Sequence, residues 1–237
     1  GTPISDGPFR NGSMYLTYTN EGMPIGAFWG YKTDGLIQTQ EQLNAVKRAD
    51  FQPNAELGDV LFVDTNGDGK LDSSDRCMIG NPIPDIIYGI NMGMAWKGFD
   101  LNLQFGGTIG NQIFNAMRYY TYFPNDITNK DRALMNYWTP NNTNTDIPRL
   151  TATDVNDNDR FSDMYVENGT YFRLRNAQLG YTLPASLTQR IKLQKVRFYV
   201  SGQNLFTISS YSGMDPEVGQ SSSLSRGIDY GIYPQNI

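Results

Sequence analysis

The chain contains no histidine and a single cysteine, Cys77. The first absence excludes Ser-His-Asp and Cys-His catalysis and any imidazole-held zinc or iron. The second excludes an internal disulfide and leaves Cys77 to packing. No apolar run approaches the roughly 18 residues of a membrane-crossing helix, and no stretch reads as a secretion signal. Acidic residues outnumber basic ones, 24 to 19, for a net charge of -5. That leaves no electrostatic footprint for nucleic acid. No pair of carboxylates stands out as acid and base, so nothing points to an enzyme.

What is present is aromatic and glycine-rich. Fifteen Tyr, twelve Phe and 24 Gly stand in a chain that is polar overall. Such a mixture suits short β-strands with one apolar face, in a soluble sandwich or a transmembrane barrel.

The most specific local feature is Asp64-Thr65-Asn66-Gly67-Asp68-Gly69-Lys70-Leu71-Asp72-Ser73-Ser74-Asp75. Read as a calcium loop, Asp64, Asn66 and Asp68 supply side-chain oxygens at alternate positions and Gly69 permits the sharp turn. Lys70 offers its carbonyl, Asp72 follows, and Asp75 closes the loop where Glu is usual. Carboxylates this crowded repel one another without a cation, so a structural Ca2+ is expected here. A second cluster, Asp154, Asn156, Asn158 and Asp159, carries Asp159 where such a loop needs glycine and is a weaker candidate.

Along the chain, strands are expected at Ser13–Thr19 and within Gly22–Leu36 and a short helix at Thr39–Ala49, after which Gly58–Val63 leads into the acidic loop. A strict alternation then begins. Ile86, Tyr88, Ile90, Met92, Met94 and Trp96 share one face, and Ile87, Gly89, Asn91, Gly93 and Ala95 the other. After a Lys97-Gly98 turn the pattern resumes with Phe99, Leu101, Leu103 and Phe105 against Asp100, Asn102, Gln104 and Gly106, which predicts a hairpin. A second hairpin is predicted from Thr170–Leu183 and Lys195–Thr207, joined by a short helical turn at Pro184–Ile191. The region 110–168 reads as a long insertion with one helix at Asn129–Tyr137, and 209–233 as a long polar loop. Short connections at 97–98 and 184–194 alternate with long ones at 37–85, 109–168 and 208–234. Outer-membrane barrels sort their loops this way, and soluble sandwiches have no reason to.

Several motifs also occur together and in order. They include Gly22-x-Pro24-Ile25-Gly26-x-Phe28-Trp29-Gly30-Tyr31-Lys32-x-Asp34-Gly35, Gly58-Asp59-Val60 running into the acidic loop, and Asp75-Arg76-x-x-Ile79-Gly80-Asn81-Pro82-x-Pro84. Further on come Asn168-Gly169-x-Tyr171-x-Arg173-Leu174-x-Asn176, Leu179-Gly180-Tyr181-x-Leu183-Pro184 and Tyr199-Val200-Ser201-Gly202-Gln203-Asn204-Leu205-Phe206-Thr207. Tyr211-Ser212-Gly213-x-Asp215-Pro216-Glu217 and Asp229-Tyr230-Gly231-x-Tyr233-Pro234 complete the set. In these the chain resembles the C-terminal part of the SusC/RagA-type TonB-dependent outer-membrane transporters.

The resemblance implies an all-β fold: a segment of an antiparallel transmembrane β-barrel, about 22-stranded in the family, with long extracellular loops containing short helices. Residues 1–237 would be the C-terminal part of that barrel, without the plug domain and TonB box and lacking the final strand. It implies residence in the outer membrane among its lipids and import of an oligosaccharide or peptide. A SusD-like surface lipoprotein would be the partner, and the TonB complex would energise import through the N-terminal region absent here. The acidic loop would then be a calcium clamp on an extracellular loop. Tyr119, Tyr120, Tyr122, Tyr137 and Trp138 would either stack on sugar rings or pack the loops together. Arg173 and Arg175 would either line the lumen or pair with loop carboxylates. The competing expectation is a soluble, calcium-stabilised β-rich module for glycan binding or adhesion.

Overall fold

The computed structural model describes residues 4–5, 9–11, 14–122, 129–218 and 223–231, and the chain divides into two compact units. The end of the last motif, Tyr233-Pro234, lies outside the described residues.

One unit, drawn from residues 84–111 and 168–217, is an antiparallel sheet of four long strands. These are β1 (Ile86–Trp96), β2 (Phe99–Ile109), β3 (Tyr171–Thr182) and β4 (Arg197–Ser209), in the spatial order β4-β3-β2-β1. Both expected hairpins are present. Trp96 pairs with Phe99 across a turn in which Lys97 and Gly98 both take the left-handed backbone, as a two-residue hairpin of matching twist requires. Because the side-chain period is two, register sets the faces. Met94, Leu101, Leu179 and Val200 lie in one row across the sheet, and Ala95, Asp100, Gly180 and Tyr199 in the next row on the opposite face.

Two β-bulges, which the alternation did not foretell, adjust this pattern. Arg175 is an extra residue against β2, between the pairs Gln104–Asn176 and Phe105–Leu174. On β4, the extra residue lies between the partners of Leu174 and Asn176, where Asn204 adopts φ 51°. The bulge on β3 keeps Phe172 and Leu174 in the apolar rows while Arg173, Arg175 and Asn176 all belong to the polar side. The apolar face is bare: Met94 is 64% exposed, Trp96 69%, Phe198 63% and Val200 67%.

The other unit is drawn from residues 1–83, 112–167 and 218–232, and holds most of the connections that the sequence marks as long together with the first 36 residues. Its strands are short. Ile4–Ser5, Thr17–Thr19, Ala27–Gly30 and Cys77–Gly80 form one antiparallel sheet, and Thr33–Leu36 pairs with Val60–Phe62. Gln112–Asn115 runs parallel to Ile228–Asp229. The expected strands at 13–19 and 22–36 are thus each broken in two, because the chain must turn repeatedly to close a small core.

That core is assembled from distant stretches. Phe9, Leu16, Phe28 and Ile79 meet Phe114, Ala116, Phe161, Tyr165 and Ile228, all buried. A second cluster joins Tyr31, Leu36, Phe51, Val60 and Phe62 to Trp138. Each such side chain withdrawn from water contributes about 2 kcal/mol, so this unit has a hydrophobic core of its own.

The expected helix at 39–49 is α1 (Gln40–Arg48). Thr39 and Gln42 form a reciprocal capping box, Glu41 lies in the first turn and Lys47 and Arg48 in the last, which suits the helix dipole. The helix expected at 129–137 is reduced to a 3-10 turn, Arg132–Asn136, capped by Asp131. A helix that periodicity missed, α2 (Ala116–Tyr122), buries only Ala116 and leaves too faint a stripe to read.

Candidate functional site

In the acidic loop the side chains fold back onto their own backbone. The Asp64 carboxylate accepts the Gly67 N–H at 2.6 Å and the Gly69 N–H at 2.8 Å. Asn66 Oδ1 accepts the Asp68 N–H, Asp68 the Lys70 N–H, and Asp72 the Ser74 N–H, at 2.8, 2.8 and 2.7 Å. Gly67 and Gly69 sit at φ 77° and 78°, which a side chain at either would resist.

Asp75 is fully buried and works as the clasp. One oxygen accepts the Thr65 N–H and the other the Asp72 N–H, at 3.0 and 2.9 Å. Arg76 then anchors the end of the loop, donating to the Tyr15 and Trp29 carbonyls at 2.6 and 2.7 Å. The N–H groups of Gly69 and Gly67, with a side-chain contact from Asp75, hold the Asp64 carboxyl below the ordinary carboxylate range. The Ser74 N–H and hydroxyl do the same for Asp72. Among the described residues, no three acidic or cysteine side chains already converge in the geometry of a metal site. The loop is anionic and tightly turned, and its first and last carboxylates, Asp64 and Asp75, lie together. The Lys70 side chain is exposed.

The second acidic cluster has another task. Asn158, 1% exposed, accepts the Val60 N–H at 2.8 Å and donates to Asp59 at 3.1 Å and Asp154 at 3.0 Å. Asn156 and Gln52 both donate to the Val60 carbonyl, and Arg149 pairs with buried Asp59 at 2.6 Å. Residues 154–158 are therefore a strap of buried amides that satisfies one short strand. Burial pushes the Asp154 carboxyl up, helped by Asp159, and burial with Asp157 raises Asp159. The sequence signal for this role is Gly58-Asp59-Val60 with Asn156 and Asn158, but nothing in spacing shows that they meet.

The aromatic question divides by residue. Tyr119 packs edge-on to Phe9 and Tyr165 in the core, and Trp138 is 6% exposed with its Nε1–H on Gln38 at 2.8 Å. Both hold connections together. Tyr120 is 44% exposed, Tyr137 is half-buried, and Tyr122 lies against the Arg118 guanidinium.

On the sheet, the arginines pair with loop carboxylates while standing on the polar face. Arg173 is buried, bonded to Asp215 at 2.5 Å, to Glu217 at 2.9 Å and to the Thr207 hydroxyl at 2.9 Å. Arg175 reaches the other Glu217 oxygen at 3.1 Å and the Tyr171 hydroxyl at 3.2 Å. Farther along the same face Arg197 forks onto Asp100. Of the two expectations for this pair, pairing with loop carboxylates is what the structure shows, made from the polar face of the sheet.

Known proteins bear on this architecture directly. No protein-family model matches the chain. TonB-dependent receptor P3 of Formosa agariphila is 39% identical over 90% of the chain, and TonB-dependent receptor SusC of Bacteroides thetaiotaomicron is 30% identical over 78%. Among solved structures, one described as the RagAB peptide transporter superposes on 92% of the chain with TM-score 0.69 at 25% identity. A RagAB peptide importer in an open-open state covers 95% with TM-score 0.67. The chain spans only about a fifth of these proteins, 21% of P3 and 22% of the RagAB chain. The strand-dominated fold, with a sheet that bares one apolar face, fits an outer-membrane β-barrel wall, as the match to these structures requires. In sequence and fold the chain is a segment of the SusC/RagA type of TonB-dependent receptor, a class of outer-membrane proteins that are receptors and transporters rather than enzymes.

Proposed function

We propose that this segment forms part of the wall and extracellular loops of an outer-membrane importer for peptides or oligosaccharides. In this reading it is energised through TonB and capped by a SusD-like surface lipoprotein. The observation that carries the reading is the two-faced sheet. Four strands of 11 to 13 residues present an unbroken apolar surface on one side and Asp, Asn, Gln, Arg and Gly on the other. Strands of about ten residues cross a membrane, and the alternation puts lipid on one face and the lumen on the other. A soluble module would have to leave Met92, Met94, Trp96, Phe198 and Val200 in water, which weighs against the adhesion or glycan-binding reading. Outer-membrane barrels carry their long loops outside the cell and short turns in the periplasm, and in this reading the long connections of this chain are the outside ones.

The test is uptake by cells carrying a complete receptor with this chain, fed labelled oligopeptides and oligosaccharides with and without TonB. Import of one class that stops without TonB is the expected result. If neither class enters in a TonB-dependent manner, the proposal falls. Co-purification of a surface lipoprotein tests the partner.

We also propose that the loop from Asp64 to Asp75 takes a structural Ca2+. Asp64, Asn66, Asp68, the Lys70 carbonyl, Asp72 and Asp75 are the ligand set; the depressed Asp64 and Asp72 carboxyls and the closure of the loop by Asp75 support it. Calorimetric titration decides the matter: Asp64→Ala is expected to abolish binding and loosen the loop, and no heat at millimolar calcium defeats the assignment.

A further inference from the structure

The pairing of Arg173 and Arg175 has an asymmetry that a fixed clamp does not require. Asp215 is sealed against Arg173, with side chains 6% and 3% exposed. Glu217 instead bridges both guanidiniums, one oxygen to each, and it and Arg175 are 32% and 39% exposed. The β-bulge at Arg175 brings that side chain to the polar face beside Arg173, and Gly106 keeps the space open, since a Cβ there would meet Arg175 Nε at 2.6 Å. A pair of forked cations holding one carboxylate by its two oxygens is a recognition geometry for carboxylate groups in general. The occupant is the chain's own Glu217, two residues beyond the buried anchor Asp215 and at the end of the segment 210–217 that follows β4.

We propose that Arg173 and Arg175 form a carboxylate seat on the polar face, filled by Glu217 in the resting state and open to exchange with a carboxylate carried by a ligand. Exchange conserves charge at the seat, one anion replacing another, so it avoids leaving a half-buried guanidinium unpaired. What it changes is the end of the segment 210–217, which loses Glu217 as an anchor while Asp215 and the buried Tyr211 stay in place. A ligand acid group thereby loosens this segment from the inner face. The proposal rests on the import reading for the polar face being accessible to cargo, and it deepens that reading by specifying a free carboxylate.

The probes are trialanine and trialanine amide, offered to a complete detergent-solubilised receptor carrying this chain and to its E217Q and R175Q variants. Both substitutions lie at the exposed end of the network, so buried Arg173 and Asp215 stay intact. Binding is read by calorimetry, and loosening by amide hydrogen exchange over 209–217. Trialanine is expected to bind and to speed exchange there, and the amide to do neither. E217Q is expected to exchange fast without ligand and to bind trialanine about tenfold more tightly, its internal competitor gone. R175Q is expected to lose the distinction between acid and amide. Equal binding of acid and amide by the unmodified receptor, or slow exchange in E217Q, overturns the proposal and leaves a static clamp. TonB-dependent uptake is measured separately: its absence alongside acid-selective binding defeats the import reading only, and uptake without acid selectivity defeats the seat only.

Discussion

Replacing Asn158 with Ala probes whether the amide strap is what holds the strand at Val60–Phe62. The side chain makes four hydrogen bonds: from the Val60 N–H and Asn156 Nδ2 to its oxygen, and from its amide to Asp59 and Asp154. Asn156 retains the Val60 carbonyl and Asp59 retains Arg149, so those losses are small. The Val60 N–H is different. It belongs to a residue 1% exposed, and the truncation strands it. An orphaned buried donor costs about 1–3 kcal/mol, and two lost bonds to carboxylates add a similar amount, less whatever water recovers, for a net of about 3 kcal/mol. Hydrogen exchange at the Val60 amide is expected to quicken about a hundredfold relative to the unsubstituted protein, while amides of β1–β4 keep their protection. A change below about threefold refutes the claim that Asn158 satisfies that donor. Asn158→Asp sharpens the test. It keeps the acceptor but sets a third carboxyl against Asp59 and Asp154, so it is expected to destabilise at neutral pH and to recover on acidification.

Three further predictions follow from the geometry. Asp64 and Asp72 have depressed carboxyls, so their contribution is present above the usual carboxylate range and is lost as pH falls through their lowered values; Asp154 and Asp159 are raised, so theirs is present at low pH and lost as pH climbs through the raised values. Acidification from neutrality should therefore slow exchange in 154–159 first and loosen 64–75 only below about pH 4, and the reverse order contradicts the assignments. Gly58→Ala places a methyl in the Trp138 ring at φ 86° and is expected to destabilise the loop unit by about 3 kcal/mol, read by urea melting and tryptophan emission. On the sheet, Met92→Arg is expected to cost about 2–4 kcal/mol of folding into lipid vesicles, while Asn91→Arg, one residue away on the polar face, is expected to be near neutral; equal effects would contradict the assignment of faces.

Much of the sheet was legible in the residues. Period-two alternation with large side chains on one face and small or polar ones on the other set strand identity, hairpin register and the division into an apolar and a polar face, because those depend only on local geometry; that the apolar face meets lipid came from the loop lengths and the family motifs. The capped helix at 40–48 was equally local, fixed by Thr39, Gln42 and the charges at its ends. The absence of histidine and of a nucleophile motif removed the common enzymatic alternatives without any coordinates.

Other features needed the folded chain. Whether Arg173 and Arg175 stood free or paired depended on a bulge and on a loop returning 42 residues later. Trp138 looked as available for a ligand as Tyr120, yet it fills the core beneath Gly58 while Tyr120 stays partly open. The cluster at 154–159 resembled the loop at 64–75 in composition, but one is a strap of buried amides and the other a largely exposed turn clasped by buried Asp75. Composition determines which groups can accept a proton, a donor or a cation; only tertiary structure decides which partners reach them first, because burial and pairing depend on segments distant in sequence.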